Sequence, residues 1–270
     1  ALGRIFDVLG ALLGMGAPNE MLNAAGFSDS PHLFFSGYDE KGDWFQLFQI
    51  GFGGVPGRPI GDGPDGHSLW PSFTNVPNEF IEAYFPLRIE KYETITDSGG
   101  PGLHRGGNGL SVAYRFLVDG HIGIHDDRWL TYPWGVNGGK PGNRSTKLLV
   151  RSDGTEEFIP AKCEGVKVQK GDLLYFNTWG GGGWGDPLER DPANVISDVA
   201  KKLVSIDGAK RYGVVVNDDL SLDEKGTKAL RSKMSKDSIK DEMFNFGGTI
   251  EEIKSRSLKE TNLEPPVSPT

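Results

Sequence analysis

The chain begins with apolar residues that recur at the spacing of a helical turn. Between Gly3 and Met15 these positions are Ile5, Val8, Leu9, Leu12 and Leu13. This spacing predicts an amphipathic helix over residues 3–15. No N-cap residue precedes it, which fits equally a missing upstream segment and a processed or simply short N-terminus.

From about residue 27 to residue 124 the pattern is one of short strands that end at glycine clusters. Residues 44–50 form one apolar run, and alternate residues of 111–118 are apolar, as expected when one face of a strand is buried. Residues 80–92 cannot form one helix because Pro86 interrupts them. Residues 121–125 also have the pattern of a strand.

In the second half of the chain, apolar runs separated by glycine-containing turns predict three further strands, at 148–151, 157–159 and 173–176. Asp191-Pro192 then begins a helix that runs to about residue 204, and a short helix follows over 205–212. Residues 223–234 predict a solvated helix, and residues 263–269, which contain three prolines, predict an extended end.

These elements predict a mixed α+β, β-rich fold. Its antiparallel strands are joined by Gly-rich loops, and its short helices lie near the N-terminus and at 191–212. The predicted division is 1–147 as the first unit, 148–216 as a small β unit with helices, and 217–270 as a charged, partly disordered tail.

Composition narrows the possible functions. With 29 basic and 37 acidic side chains the net charge is −8, which argues against nucleic acid as a partner. The single cysteine excludes an internal disulfide framework and a Cys-rich zinc site. There is no apolar run long enough to span a bilayer, and the first residues do not resemble a signal peptide, so we expect a cytoplasmic location without membrane contact.

The common catalytic motifs are absent or out of context. Gly61-x-Gly63-x-x-Gly66 matches a dinucleotide fingerprint, but Pro64 and Pro71 are incompatible with the helix that must follow it. His121 and His125 would share one face of a helix and could bind a metal there. On the predicted strand they are about 13 Å apart, so ordinary strand residues are the favoured interpretation and we predict no metal ligands in this chain.

Two loops stand out. The loop from Arg58 to His67 contains Asp62, Asp65 and His67, and loops of this kind often carry a functional site. Turn chemistry, in which Asp caps the backbone, is the slightly favoured interpretation. Six of the thirteen residues 97–109 are glycine, which is incompatible with an ordinary strand or helix. Their amides could form an anion-binding nest beside Arg105, and a tight crossover between sheets is the structural alternative.

The glycine loops resemble a signature of the hydantoinase B/oxoprolinase family. Similar blocks follow in the same order over about residues 3–216. These blocks are Arg58-Pro59, Asp62-Gly63, Thr74-Asn75, Glu79, Glu82, Phe85-Pro86-Leu87, Tyr92-Glu93, Asp97 to Gly102, Arg105-Gly106-Gly107, Pro133-Trp134-Gly135, Gly138 to Gly142, Lys170-Gly171-Asp172, Gly180 to Pro192 and Tyr212 to Val215.

The resemblance implies a B-type subunit of an ATP-dependent hydantoinase, 5-oxoprolinase, or acetone or acetophenone carboxylase. In such enzymes a hydantoinase A-type partner binds ATP and phosphorylates the substrate oxygen. The B-type subunit, with a divalent metal ion, carries out ring opening by water or carboxylation of an enolate. The metal ligands belong to an N-terminal half that this chain lacks, so the chain resembles a C-terminal half that is split, cut or partial.

From this resemblance we expect a hetero-oligomer with the A-type subunit and the missing N-terminal half, and no activity of the chain alone. The expected catalytic residues are Arg105, Asp62 and His67, and the expected substrate-binding residues are Arg58, Asn75, Gly99 and Gly100. An Arg105→Ala change should then lower turnover far more than stability. A non-catalytic scaffold subunit and a stand-alone sugar- or anion-binding β module are the alternatives.

Overall fold

A computed structural model describes residues 2–16, 22–27, 31–67, 74–160, 162–237, 243–261 and 264. Its strands in chain order are β1 (His32–Tyr38), β2 (Trp44–Ile50), β3 (Leu87–Thr94), β4 (Leu110–Phe116), β5 (Gly120–His125), β6 (Gly135–Val136), β7 (Thr146–Val150), β8 (Glu156–Phe158), β9 (Lys162–Val168), β10 (Leu173–Asn177) and β11 (Phe244–Asn245). Its α-helices are α1 (Leu2–Met15), α2 (Asn78–Tyr84), α3 (Pro192–Ala200), α4 (Glu224–Asp237) and α5 (Ile250–Thr261).

Two antiparallel sheets pack against each other around one apolar core. The first sheet has the strand order β2-β1-β5-β9, and the second has the order β3-β4-β10-β7-β8. Phe35 of the first sheet meets Phe116 of the second edge to face, with ring centroids 4.8 Å apart. Alternate residues of both sheets enter this core, which confirms the β-rich, antiparallel prediction.

The predicted small β unit does not have a sheet of its own. The predicted boundary between residues 147 and 148 falls inside β7, and β7, β8 and β10 continue the sheet that β3 and β4 begin. The strand β9, which sequence analysis did not predict, joins the other sheet. Gly165 has a φ of 66° there, and the register with β5 is irregular, so β9 lacks the clean alternation of a regular strand.

The predicted helices form with small changes in their ends. Asp191 caps α3 by accepting from the Ala193 amide at 2.8 Å, and Pro192 occupies its first position. The helix ends at Ala200 rather than near residue 204, and Lys202 has a φ of 60° just beyond it. The following short helix is a 3-10 turn, Gly208–Tyr212.

The tail contains more order than its composition predicts. The helix α4 confirms the predicted solvated helix, whereas α5 was not predicted. Thr249 and Glu252 form a reciprocal capping box at the start of α5, with N···O distances of 2.8 and 3.2 Å. The predicted extended end, 263–269, lies outside the described residues apart from residue 264.

Helix α1 lies where the sequence predicts it. Its polar side, however, faces the rest of the chain, and its apolar side faces outward. Asp7 is buried and accepts from the amides of Gly26 and Phe27 at 3.0 Å each, and it also pairs with Arg4 and Arg128. The apolar side chains point away from the rest of the chain and are 43–73% exposed: Ile5, Phe6, Val8, Leu9, Leu12, Leu13 and Met15. No helix in the described ranges is long and apolar enough to cross a membrane.

Five glycine-rich segments with little regular secondary structure pack against one end of the sandwich: 51–57, 61–66, 98–109, 135–142 (which begins with the two-residue strand β6) and 180–185. Their backbones hydrogen-bond directly, for example from the Gly181 amide to the Gly107 carbonyl at 2.9 Å and from the Gly107 amide to the Val55 carbonyl at 2.8 Å. We call these five segments the glycine scaffold. It confirms that the glycine clusters serve close backbone approach.

Most glycines of the scaffold have no room for a side chain. A Cβ on Gly106 would lie 1.9 Å from the carbonyl oxygen of Gly181, and one on Gly54 would lie 1.8 Å from that of Gly107. Because the obstructing atoms are backbone, a rotamer change cannot relieve the overlap.

We therefore expect Gly106→Ala to lower the free energy of unfolding by about 3 kcal/mol or more, the upper end of overpacking costs. Gly61→Ala is the matched control, since a Cβ there has no heavy atom within 4 Å. Urea unfolding of both variants would test this, and equal stability of the two would contradict the packing argument.

Candidate functional site

The loop that follows the first scaffold segment forms a tight turn at the surface. The Arg58 and Gly61 backbones pair with N···O distances of 3.0 and 3.2 Å, and Ile60 at the tip is 89% exposed. The Arg58 guanidinium donates to the Asp62 carbonyl at 3.1 Å, while its Nε is a buried atom without a hydrogen-bond partner among the described residues. Arg58 is therefore a half-buried cation next to an exposed turn.

Asp62 joins this turn to two distant segments. Its carboxylate accepts two hydrogen bonds from Arg190, both 2.7 Å, and one from the Arg105 amide at 2.9 Å. His104 Nδ1 lies 3.8 Å from the same carboxylate, and the His104 ring lies 5.7 Å from the Trp184 ring. The predicted Asp62 is thus the point at which three segments meet.

Arg105 is held in the same way by Asp65. Its two terminal nitrogens donate to the two carboxylate oxygens of Asp65 at 2.7 and 2.9 Å. The backbone N–H of Asn108 also donates to the Asp65 carboxylate, at 2.7 Å. Asp198 connects the two pairs, because it lies 2.8 Å from Arg190 and 3.5 Å from Arg105. We call Asp62, Asp65, Asp198, Arg105 and Arg190 together the Arg–Asp network.

The electrostatics of this network favour fixed charges. Burial works to raise the pKa of Asp62, but the hydrogen bonds and charge of Arg190, with the charge of Arg105, outweigh it and hold that pKa below its usual value. Burial works to lower the pKa of Arg105, but its bonds to Asp65 outweigh that effect and raise it. Asp62 is therefore a carboxylate at neutral pH and an acceptor of hydrogen bonds rather than a proton donor.

This geometry changes the expectation for Arg105. The side chain is buried and both terminal nitrogens face Asp65 within the chain, so Arg105 stabilises the loop. Its catalytic role stays a prediction, but an Arg105→Ala change must now be expected to affect stability strongly.

The remaining predicted residues lie apart from the network. The His67 amide donates to the Gly53 carbonyl at 3.0 Å while its side chain is exposed, and Asn75 donates to the Tyr92 hydroxyl at 2.8 Å. Their catalytic and binding roles stay predictions.

The anion nest expected at Gly99 and Gly100 is corrected by the structure. Both residues are buried, and their amides donate to the Asn108 side chain and to the Gly181 carbonyl, each at 2.8 Å. A Cβ on either would lie 2.1 Å from a backbone oxygen. The two glycines are members of the scaffold, which is the alternative that the sequence left open.

Neither Arg190 nor Asp198 stands out in the sequence. Arg190 lies inside one of the glycine blocks but is 128 residues from Asp62, so neither periodicity nor spacing reveals the pair. The one local signal is that Arg190 and Asp198 are eight residues apart, Arg190 just before the capped start of α3 and Asp198 near the end of that helix.

The chain shows no donor set suited to a metal ion among its described residues, where no three His, Cys, Asp or Glu side chains form a suitable group. The three carboxylates of the Arg–Asp network are paired with guanidinium groups. His121 and His125 lie on β5, as the strand interpretation predicts, and His125 pairs with Glu164 at 2.5 Å.

Comparison with known sequences agrees with this architecture. The sequence model of the hydantoinase B/oxoprolinase family matches residues 1–187. The putative B-type subunit of a D-/L-hydantoinase from Pseudomonas sp. (strain NS671) is 32% identical over 232 residues, which are 84% of this chain and 38% of that relative. The beta subunit of caprolactamase from Pseudomonas jessenii is 37% identical over 161 residues, which are 57% of this chain and 27% of the relative.

Solved structures show the same fold. The crystal structure of ATP-dependent caprolactamase from Pseudomonas jessenii aligns with a TM-score of 0.72 and 28% identity, covering 82% of this chain and 40% of that one. The nucleotide-free structure of acetone carboxylase aligns with a TM-score of 0.67 at 19% identity, which shows likeness of fold alone. The chain thus spans less than half the length of the relatives it matches.

We expect Arg105→Ala to lower the free energy of unfolding by about 3 kcal/mol or more, because it leaves the Asp65 carboxylate without its partner. Arg88→Ala is the control, since that side chain is 59% exposed and makes only a surface pair with Glu90. Denaturant unfolding would distinguish them, and an Arg105→Ala protein as stable as the control would restore the purely catalytic hypothesis.

The pH dependence of stability should report on Asp62. Because its pKa in the folded state is below the usual 3.8, its stabilisation is fully present above that pH and is lost as the pH falls through the folded-state pKa. Stability measured against pH should therefore be steeper below pH 3.8 for the wild type than for Asp62→Asn. Arg190→Gln, which removes the main stabilising cation, should also flatten the curve, and parallel curves for all three proteins would show that the pair does not shift this pKa.

Proposed function

The chain belongs to the hydantoinase B/oxoprolinase family, and on that premise we propose that it forms part of the B-type subunit of an ATP-dependent enzyme that opens cyclic amides. The observation that carries this proposal is the match to the B-type subunit of a hydantoinase and the beta subunit of caprolactamase, both at more than 30% identity. Hydantoin and caprolactam are both cyclic amides, so the substrate class follows from the chemistry that these names share.

Ketone carboxylation is the less favoured reaction. The relative that would support it, acetone carboxylase, shares 19% identity and therefore only the fold. The caprolactamase structure aligns better in both sequence and geometry, with 28% identity and a TM-score of 0.72.

The proposed reaction divides between subunits. A resonance-stabilised amide is a poor electrophile, and transfer of the γ-phosphoryl group of ATP to its carbonyl oxygen, with release of ADP, would activate the ring carbon for attack by water. The ring C–N bond would then break, with a proton going to the leaving nitrogen, to give an acyl phosphate. A second water would release inorganic phosphate and leave the ring-opened carboxylate. We assign ATP binding to a hydantoinase A-type partner. Because the described residues do not fit a metal, we assign the expected divalent ion to the N-terminal half of the subunit.

In this reaction the chain would form one side of the active site and hold its groups in fixed positions. The glycine scaffold and the Arg–Asp network fix the turn at residues 58–62, and the turn carries the half-buried Arg58 guanidinium. A preorganised cation of this kind can stabilise an anionic intermediate without reorganising. We therefore propose Arg58 as the group that faces the activated substrate.

Helix α1 supports a larger assembly. Seven large apolar side chains on one short helix are at least 43% exposed, and soluble proteins seldom leave such a patch uncovered. We propose that the N-terminal half of the B-type subunit covers this face, since the relatives are more than twice as long as the matched part of this chain.

A scaffold subunit without catalytic groups is the second candidate. It is favoured by one specific observation, namely that the charged groups of the Arg–Asp network are satisfied within the chain. The two candidates differ in what they require of Arg58.

The test is to purify the complete complex and to measure ADP release with hydantoin, caprolactam or 5-oxoproline, and separately with acetone plus bicarbonate. We expect ADP release that depends on a cyclic amide. Arg58→Ala should lower kcat by about tenfold or more, the scale expected when one transition-state contact is lost. Its unfolding midpoint should stay close to that of wild type.

Arg88→Ala is again the matched control, because it removes an exposed guanidinium far from the turn in sequence. Amide-dependent turnover that survives in Arg58→Ala would favour the scaffold candidate. ADP release only with acetone and bicarbonate would overturn the choice of cyclic amides.

A further inference from the structure

A cleft of about 390 Å³ lies between β7, β8 and α5, away from the Arg–Asp network. This volume is at the small end of the range for ligand sites, about 300–1,000 Å³. Its apolar wall is formed by Trp129, Phe158, Ile159 and Pro160, and Arg144 and Glu260 lie on its polar side. An apolar wall with a charged end is typical of a site for an amphipathic small molecule.

Arg144 already holds a carboxylate in this cleft. Its two terminal nitrogens donate to the two oxygens of Glu260 at 3.1 and 3.2 Å. These distances exceed the 2.7–2.9 Å of strong charge-assisted bonds, so the pair is loose. Arg144 itself is fixed, because it also donates to the Trp129 carbonyl at 2.7 Å and its side chain is only 18% exposed.

The second cation that lines the cleft is not available to a ligand. Lys147 donates to Asp126 at 2.5 Å and to the Asn177 carbonyl at 2.9 Å, and the side chains of both Lys147 and Asp126 are completely buried. The Lys147 charge is therefore neutralised inside the core. Arg144 remains as the cation that can exchange partners.

Glu260 can leave without breaking the fold. It lies in the last turn of α5, and its side chain is 37% exposed and can turn toward solvent. In the structure it occupies the position that an external carboxylate would take.

We propose that this cleft binds a small carboxylate with an unbranched apolar body, which displaces Glu260 from Arg144 and lies along Trp129 and Phe158. The ring-opened product of a simple lactam is an amino carboxylate of this shape. That link to the product rests on the proposed function, whereas carboxylate binding itself does not.

Calorimetric titration of the intact protein, without ATP, tests the site with hexanoate, 6-aminohexanoate and uncharged hexanamide. We expect both carboxylates to bind and hexanamide not to bind. Glu260→Gln should tighten carboxylate binding by about tenfold or more, because it removes a tethered competitor whose effective concentration is high. Glu251→Gln, an exposed carboxylate on the same helix, should leave the affinity unchanged.

Arg144→Gln should abolish binding, and a thermal unfolding scan would show whether it folds. Phe158→Ala gives a second test that does not endanger folding, since this side chain is 73% exposed, and it should weaken binding. Binding that is unaffected by both changes, or no binding to Glu260→Gln, would overturn the proposal. Binding of hexanoate but not of 6-aminohexanoate would retain the carboxylate site and remove only its link to the product.

Discussion

Close contact between backbones is the constraint on which the rest of this structure depends. Segments as distant as residues 55, 107 and 181 come together through amide and carbonyl groups alone. Such contacts satisfy polar groups that burial would otherwise leave unpaired. They also bring charged side chains from three parts of the chain to one place, so the Arg–Asp network exists because the glycine scaffold does.

The network in turn gives the scaffold a fixed orientation. Backbone contacts between glycines have few side chains to define their register, and paired guanidinium and carboxylate groups have strong directional requirements. Asp62 and Asp65 belong to one loop, Arg105 to a second, and Arg190 and Asp198 to the third segment, which consists of α3 and the residues just before it. A shift of any one segment would break at least one two-pronged pair, which is why residues that look catalytic in the sequence have a positioning role in the structure.

Much of the fold was predictable because apolar alternation and glycine clusters have direct physical causes. Strands such as β2 and β4 follow from their patterns, and α3 follows from Asp191-Pro192. The strand β9 was not predicted because Gly165 and an irregular register disrupt its alternation. The helix α5 was overlooked although Thr249 and Glu252 encode its start. At the site, the loop around Asp62 was found from local composition, but its partner Arg190 was not, since a pairing across 128 residues leaves no local trace.

The glycine scaffold also has a consequence for how the chain acquires its structure. Glycine loses more backbone entropy on ordering than other residues do. The contacts between residues 55, 107 and 181 also close long loops, and the entropy cost of that closure comes before the contacts themselves stabilise the fold. Local hairpins such as β1–β2 can form early, whereas these contacts must wait for both sheets. Folding of this chain should therefore be slow and end with the scaffold, so that the turn carrying Arg58 is among the last parts of the protein to reach its native form.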